Sequence, residues 1–380
     1  MLDLRKELYG NRQITSLEDR EGFAAVLDIT KRGMIDLESK HFDNSERIEL
    51  IDVPKKNVSS MGHDYAISTI RLVAMAMIVL CHIMQYYDFF LAWWFNVGVQ
   101  IFLCMSGFLY GQIKITKVTR FYKKRLTKIL IPYYLVVIPF AIAEFAFAAD
   151  YITVRKFIEA LFLHSTLKGA GHLWFIPTIL VCYLITPLLQ VYRSEYVRDK
   201  TSWIIVLVCG VTVVSIYTEF FNAFFNPAWI SCYLIGYGLG VNEREGFLQK
   251  SHLLALFGCA ALMGNSIQIY FEYVRKISFT GKGVVYDYNH VLLGISLFLL
   301  LKIFLEKKNF QKYKSLLMVS DKYSYEVYCV HQLIILGPFS LLMVTDKIAI
   351  NMVLVFGVTA LLSKLLKNAE EYINRKQEIF

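Results

Sequence analysis

From Tyr65 to Leu366 the chain is a near-continuous succession of apolar stretches joined by short polar connections. Ten of them approach or reach the roughly 20 residues that a helix needs to cross a bilayer. They run over 66–87, 91–111, 129–149, 173–192, 202–220, 226–241, 252–271, 284–304, 323–344 and 348–365. In hydrocarbon no water satisfies the peptide groups, so such stretches must close their hydrogen bonds within helices. The expected fold class is therefore an all-α polytopic membrane protein of about ten transmembrane helices. Composition agrees, with 56% hydrophobic and 19% charged residues, against about half and a quarter in a soluble domain. A soluble enzyme of 380 residues would have nowhere to hide that apolar surface. A disordered chain would not carry 28 Phe and 24 Tyr. The seven cysteines are odd in number, lie within apolar runs and form no C-x-x-C pair. They read as small buried hydrophobes, so neither a disulfide framework nor a metal site is expected.

The front of the chain is different. Residues 1–65 hold 13 acidic and 10 basic residues, a net charge of −3, which leaves +12 on the remainder. No basic start followed by an apolar core marks a signal peptide there. Residues 1–64 are thus expected to be a charged, poorly ordered N-terminal extension, and 65–380 the transmembrane domain. The connection after the second run is rich in base and free of acid: Lys114, Lys117, Arg120, Lys123, Lys124, Arg125 and Lys128. Short basic loops stay in the cytoplasm. The loop holding Lys307, Lys308, Lys312 and Lys314 falls on the same side. Ten spans then put both termini in the cytoplasm, in a multi-pass protein of the cell membrane. The lipid bilayer is the first partner expected; nucleic acid is not one.

Ionisable residues inside spans are expensive and mark function. The first run holds Arg71 and His82, 11 positions apart. At about 100° per residue that spacing puts both on one face, separated by a rise of about 16 Å. Arg71 lies near the cytoplasmic surface and His82 deep, with Gln85 and Tyr86 extending the stripe. In the ninth run Ser324, Tyr328 and His331 fall at i, i+4 and i+7, with Gln332 beside them. His172 and Trp174 open the fourth run, where Trp174 also suits an interfacial aromatic belt. Glu144 sits within the third run and calls for a partner.

Several segments together resemble the membrane-bound acyltransferase family three, polytopic O-acyltransferases of surface glycans and envelope molecules. They are DYAISTIRLVAMAMIVLCHI (64–83), NVGVQIFLCMSGFLYG (96–111), which contains Ser106, RFYKKRLTKILIPYY (120–134), HLWFIPTILVCYLITPLL (172–189) and SYEVYCVHQLII (324–335). The family's Arg-x-x-Arg reads Arg125-Leu126-Thr127-Lys128 here, keeping the charge but losing a bidentate donor at the second position. The resemblance implies acyl transfer, by default of acetyl, from cytoplasmic acyl-CoA to a hydroxyl of an envelope glycan or lipid-linked sugar. Acyl-CoA would then be a donor substrate rather than a resident cofactor. Such chemistry needs a base or an acyl carrier, for which histidine is suited, and cations for the donor's phosphates. His82 and Arg71 are the expected catalytic pair; Arg125, Lys128 and Lys124 are the expected donor anchors. The basic residues also serve topology on their own account. A transporter of a small polar or lipid-linked solute is the rival reading, since transporters share buried His and Arg and short glycine-rich helices such as 235–240.

Overall fold

The computed structural model describes residues 64–195, 202–220, 227–246 and 248–377. Apart from Asp64, the charged extension expected at 1–64 lies outside these residues. Among the described residues the regular structure is helical throughout. The helices are α1 (Tyr65–Tyr86), α2 (Ala92–Phe95), α3 (Gly98–Gly111), α4 (Val118–Phe147), α5 (Val154–Leu161) and α6 (Phe175–Glu195). They continue as α7 (Ser202–Phe220), α8 (Ile230–Glu245), α9 (Lys250–Ile269), α10 (Lys282–Leu305), α11 (Lys314–Val330) and α12 (Ile348–Gln377).

Among the described residues seven helices are long and apolar enough to cross a membrane: 65–86, 92–111, 118–147, 171–194, 250–275, 282–305 and 348–376. Seven of the ten expected spans are recovered in this way, and the count of ten is not established. The other three fall short for visible reasons. The apolar part of α7 is Trp203–Tyr217. Helix α8 has 16 residues. The ninth run does not continue as one helix: α11 stops at Val330 and the chain tightens into a 3₁₀ turn, His331–Ile334.

The helix ends that carry the 114–128 basic segment share one end of the bundle, called here the basic end. Asp64 fixes the entry of α1: its Oδ1 accepts from the Ala66 and Ile67 amides at 3.0 and 3.1 Å, as an N-cap does. Its Oδ2 accepts from Lys302 Nζ of α10 at 3.2 Å. Lys302 also meets Glu306 at 3.2 Å, and Lys250 of α9 meets Glu243 of α8 at 2.9 Å and Glu306 at 2.5 Å. Four helix ends are thereby tied together. Inside the bundle, α3 and α8 approach most closely. A Cβ on Gly107 or Gly111 of α3, or on Gly236 or Gly240 of α8, would strike the facing backbone. Without a hydrophobic drive between helices in lipid, such small-residue seams supply the packing. Helix α1 is flanked by α3, α10 and α11, which puts its Arg71–His82 stripe in the interior.

Candidate functional site

One regular helix and two 3₁₀ turns bring three histidines together. His82 lies one turn before the end of α1. His172 sits in the 3₁₀ turn Gly171–Trp174 that opens α6. His331 is the first residue after α11 ends. Their ring centroids are 5.1 Å apart for His82 and His331, 4.9 Å for His172 and His331, and 6.3 Å for His82 and His172. All three are buried, His331 completely. The loops carrying His172 and His331 meet at two glycines in the left-handed region, Gly169 (φ 84°) and Gly337 (φ 86°). A Cβ on Gly337 would lie 2.5 Å from Gly169 Cα, so only glycine permits this approach.

Hydrogen bonds assign the ring protons. His331 Nδ1 donates to the Tyr328 carbonyl at 2.8 Å and the Val327 carbonyl at 3.1 Å. Carbonyls only accept, so the His331 lone pair is on Nε2, which is buried and unpartnered. His172 Nε2 donates to the Cys329 carbonyl at 3.1 Å, leaving its lone pair on Nδ1, also buried and unpartnered. Gln332 Oε1 accepts from the His172 amide at 2.6 Å, and the Tyr328 hydroxyl donates to the His172 carbonyl. Backbone carbonyls thus hold two of the rings and set which nitrogen carries the proton in the neutral form. His82 differs. Its Nδ1 meets the side chain of the exposed Gln85, Oε1 at 2.6 Å, and with Nδ1 donating the lone pair is on Nε2. It is the ring of the three held by a side chain that can move. The three rings do not form a metal site: among the described residues no group of three or more His, Cys, Asp or Glu is set to hold one.

Three turns toward the basic end, Arg71 projects onto α11. Its guanidinium pairs with Asp321 at 2.5 Å, and Ser68 Oγ donates to the other carboxylate oxygen. The shared face expected of Arg71 and His82 is realised, because both meet α11 or the turn that follows it. Arg125 of α4 lies over the Tyr110 ring, 5.0 Å from its centroid, and its buried Nε is unpartnered. Lys128 is exposed and within electrostatic reach of Arg71, Arg125, Lys367 and Glu326. Lys367 of α12 meets Glu326 at 3.0 Å and Glu370 at 2.7 Å. Four cations from three helices therefore face a common region. Lys124 is exposed and is not brought into it.

The other expected residues have other surroundings. Ser106 lies beside Tyr183, near Tyr110 and Arg125 rather than beside the histidines. Ser324 Oγ donates to the Asp321 carbonyl at 3.4 Å, a turn below Tyr328. Trp174 packs edge-on against Trp229 with centroids 3.9 Å apart. Glu144 is fully buried with neither carboxylate oxygen hydrogen-bonded, and Lys156 and Lys168 are the cations that act on it. Asp321, Glu326 and Lys367 escaped the sequence reading. Asp321 was within reach of it: 321, 324, 328 and 331 continue one stripe of α11, and a buried Arg71 demands an acid.

A family model described as an acyltransferase domain, that of acyltransferase family three, matches residues 64–366. No curated protein and no solved structure matches the chain.

Proposed function

The chain belongs to acyltransferase family three, and from that premise we propose that it moves an acyl group, by default acetyl, from acyl-CoA to a hydroxyl of an envelope glycan or lipid-linked sugar. The observation that carries this reading is the His82–His172–His331 contact, reached along α1 from a cluster of cations. In this reading the basic end faces the cytoplasm of a plasma-membrane protein, as the positive-inside bias requires. Asp64 and Glu371 of α12 both lie at that end, the latter through the Lys322–Glu371 ion pair at 3.1 Å, which fits a transmembrane body that starts and ends on the cytoplasmic side.

The donor's phosphates rest on Arg71, Arg125 and Lys128, with Lys367 as a fourth cation. The pantetheine arm runs inward beside α1, where about 16 Å separates Arg71 from His82. His82 Nε2 takes the proton of the acceptor hydroxyl while its oxygen attacks the thioester carbonyl. The C–S bond breaks, and the CoA thiolate leaves with the proton returned by His82. In a two-step version the same Nε2 attacks first, forms an acyl-imidazole and releases CoA, and the hydroxyl then takes the acyl group. Both routes need His82 free to change its bonding, which fits its link to exposed Gln85 rather than to backbone. His172 and His331 position the site. Purified protein given labelled acetyl-CoA tests this: hydrolysis or transfer that disappears in His82→Ala is expected. Solute flux with no acyl chemistry would overturn it.

A further inference from the structure

A second set of buried polar groups lies around α10, which with α2 and α3 packs against α1, in the half away from the basic end. Positions 287–290 of α10 are four consecutive polar residues. Three are paired. Asp287 Oδ1 accepts from Trp229 Nε1 at 3.3 Å. The Tyr288 hydroxyl meets those of Thr212 at 2.7 Å and Ser231 at 3.2 Å. Asn289 Nδ2 donates to Gln268 Oε1 at 3.0 Å and to the Gly264 carbonyl at 3.1 Å. The fourth, His290, is fully buried. It stacks on Trp93 of α2, centroids 4.1 Å apart, with its ring facing the Trp93 backbone. Neither ring nitrogen makes a hydrogen bond of acceptable geometry.

Gln100 of α3 is also fully buried, and both of its amide atoms are unpartnered, as is Trp93 Nε1. Gly294, one turn after His290 on the same face, leaves room for the Gln100 Cβ, which a Cβ at 294 would displace. Five buried polar atoms on three residues that neighbour one another along α10 are therefore without hydrogen-bond partners. Depth relates them to the reaction centre. Gly98 of α3 packs on Ala74 and Ile78 of α1. A turn back along the chain, the Trp93 segment is level with His82, about a turn beyond Ile78.

We propose that Trp93, Gln100 and His290 form a subsite for the acceptor, and that this acceptor is a neutral polyhydroxylated molecule such as a sugar ring. Trp93 Nε1, Gln100 Nε2 and one His290 nitrogen donate; Gln100 Oε1 and the other His290 nitrogen accept. Hydroxyls answer both needs at once, whereas an anion answers only the donors. The set contains no Lys, Arg, Asp or Glu to balance a charged ligand, since Asp287 is turned to Trp229. The inference rests on the transferase reading.

The test gives purified full-length protein labelled acetyl-CoA together with the methyl glycosides of glucose, galactose and N-acetylglucosamine, and reads transfer to glycoside against hydrolysis by water. Gln100→Met, His290→Phe and the milder Trp93→Phe are each expected to lower the transfer-to-hydrolysis ratio about tenfold through lost buried hydrogen bonds. An unchanged ratio in all three variants overturns the subsite and assigns the five atoms to trapped water. So does wild-type hydrolysis without transfer to any of the three glycosides. Thermal shift covers failure of the donor reading. If the wild type neither hydrolyses nor transfers acetyl, a glycoside-dependent rise in Tm that Gln100→Met abolishes upholds the subsite and sinks only the transferase. No such rise sinks both.

Discussion

At the scale of single residues, the three histidines are unequal. His172 and His331 are locked by backbone carbonyls, while His82 is held by a side chain. Removing the group that exchanges the proton costs about 10²–10⁴ in rate. His82→Ala is expected to fall in that range in kcat, read as label transferred from acetyl-CoA, and retention of half the wild-type rate would refute the assignment. Gln85→Ala removes the restraint on the ring but not the lone pair. It is expected to lower kcat by about tenfold, the equivalent of one net hydrogen bond, with KM for the donor unchanged; a change in KM alone would show that Gln85 contacts the donor. In the proposed reading Arg125 makes a phosphate contact equal in ground and transition states, so Arg125→Ala is expected to raise KM for acyl-CoA while kcat holds. An unchanged KM with a misplaced α3–α4 hairpin would reduce Arg125 to a topology signal. The sequence exposed His82, Arg71, Tyr328 and His331 because polar residues stand out in apolar runs. It concealed which ring is restrained by what, because Cys329 and Val327 act through carbonyls that every residue carries.

At the scale of elements, the informative departures are interruptions. The ninth run reads as one span, yet α11 ends at Val330 and places His331 and Gln332 on a 3₁₀ turn. A period count cannot foresee this, because the residues that stop the helix are ordinary and the reason is tertiary: Tyr328 and Gln332 are engaged with the His172 turn. The glycines of α8 were visible, and they suit a transporter's broken helix as well as a packing seam. In the structure Gly236 and Gly240 lie on an unbroken helix against the α3 backbone, which gives them a use that needs no moving gate. Gly236→Val would drive its side chain into the Cys104 carbonyl. Overpacking of this kind typically costs about 1–3 kcal/mol, so a lower Tm and reduced recovery of monodisperse protein in detergent are expected. Wild-type behaviour in both would show that α3 and α8 separate readily and that the seam is not part of the fold's stability.

At the scale of the whole molecule, the membrane body closes on itself. Its first described residue, Asp64, both caps α1 and receives Lys302 from α10, so the body's own network at the basic end begins there. The family match begins at the same residue. Every cation and histidine of the candidate site lies beyond it. The charge excess of residues 1–60 is acidic, and if that segment were to dock on the basic hairpin around Lys123, Lys124 and Arg125 it would compete with donor phosphates. A chain beginning at Met61 separates the cases. Full insertion with wild-type transfer is expected, because Asp64, its cap and its ion pair are retained. If docking occurs, the shortened chain instead shows a lower KM for acyl-CoA at low salt, and the difference fades as ionic strength rises. A stable, inserted protein without activity would overturn the view that the body from Asp64 onward is the whole catalytic unit.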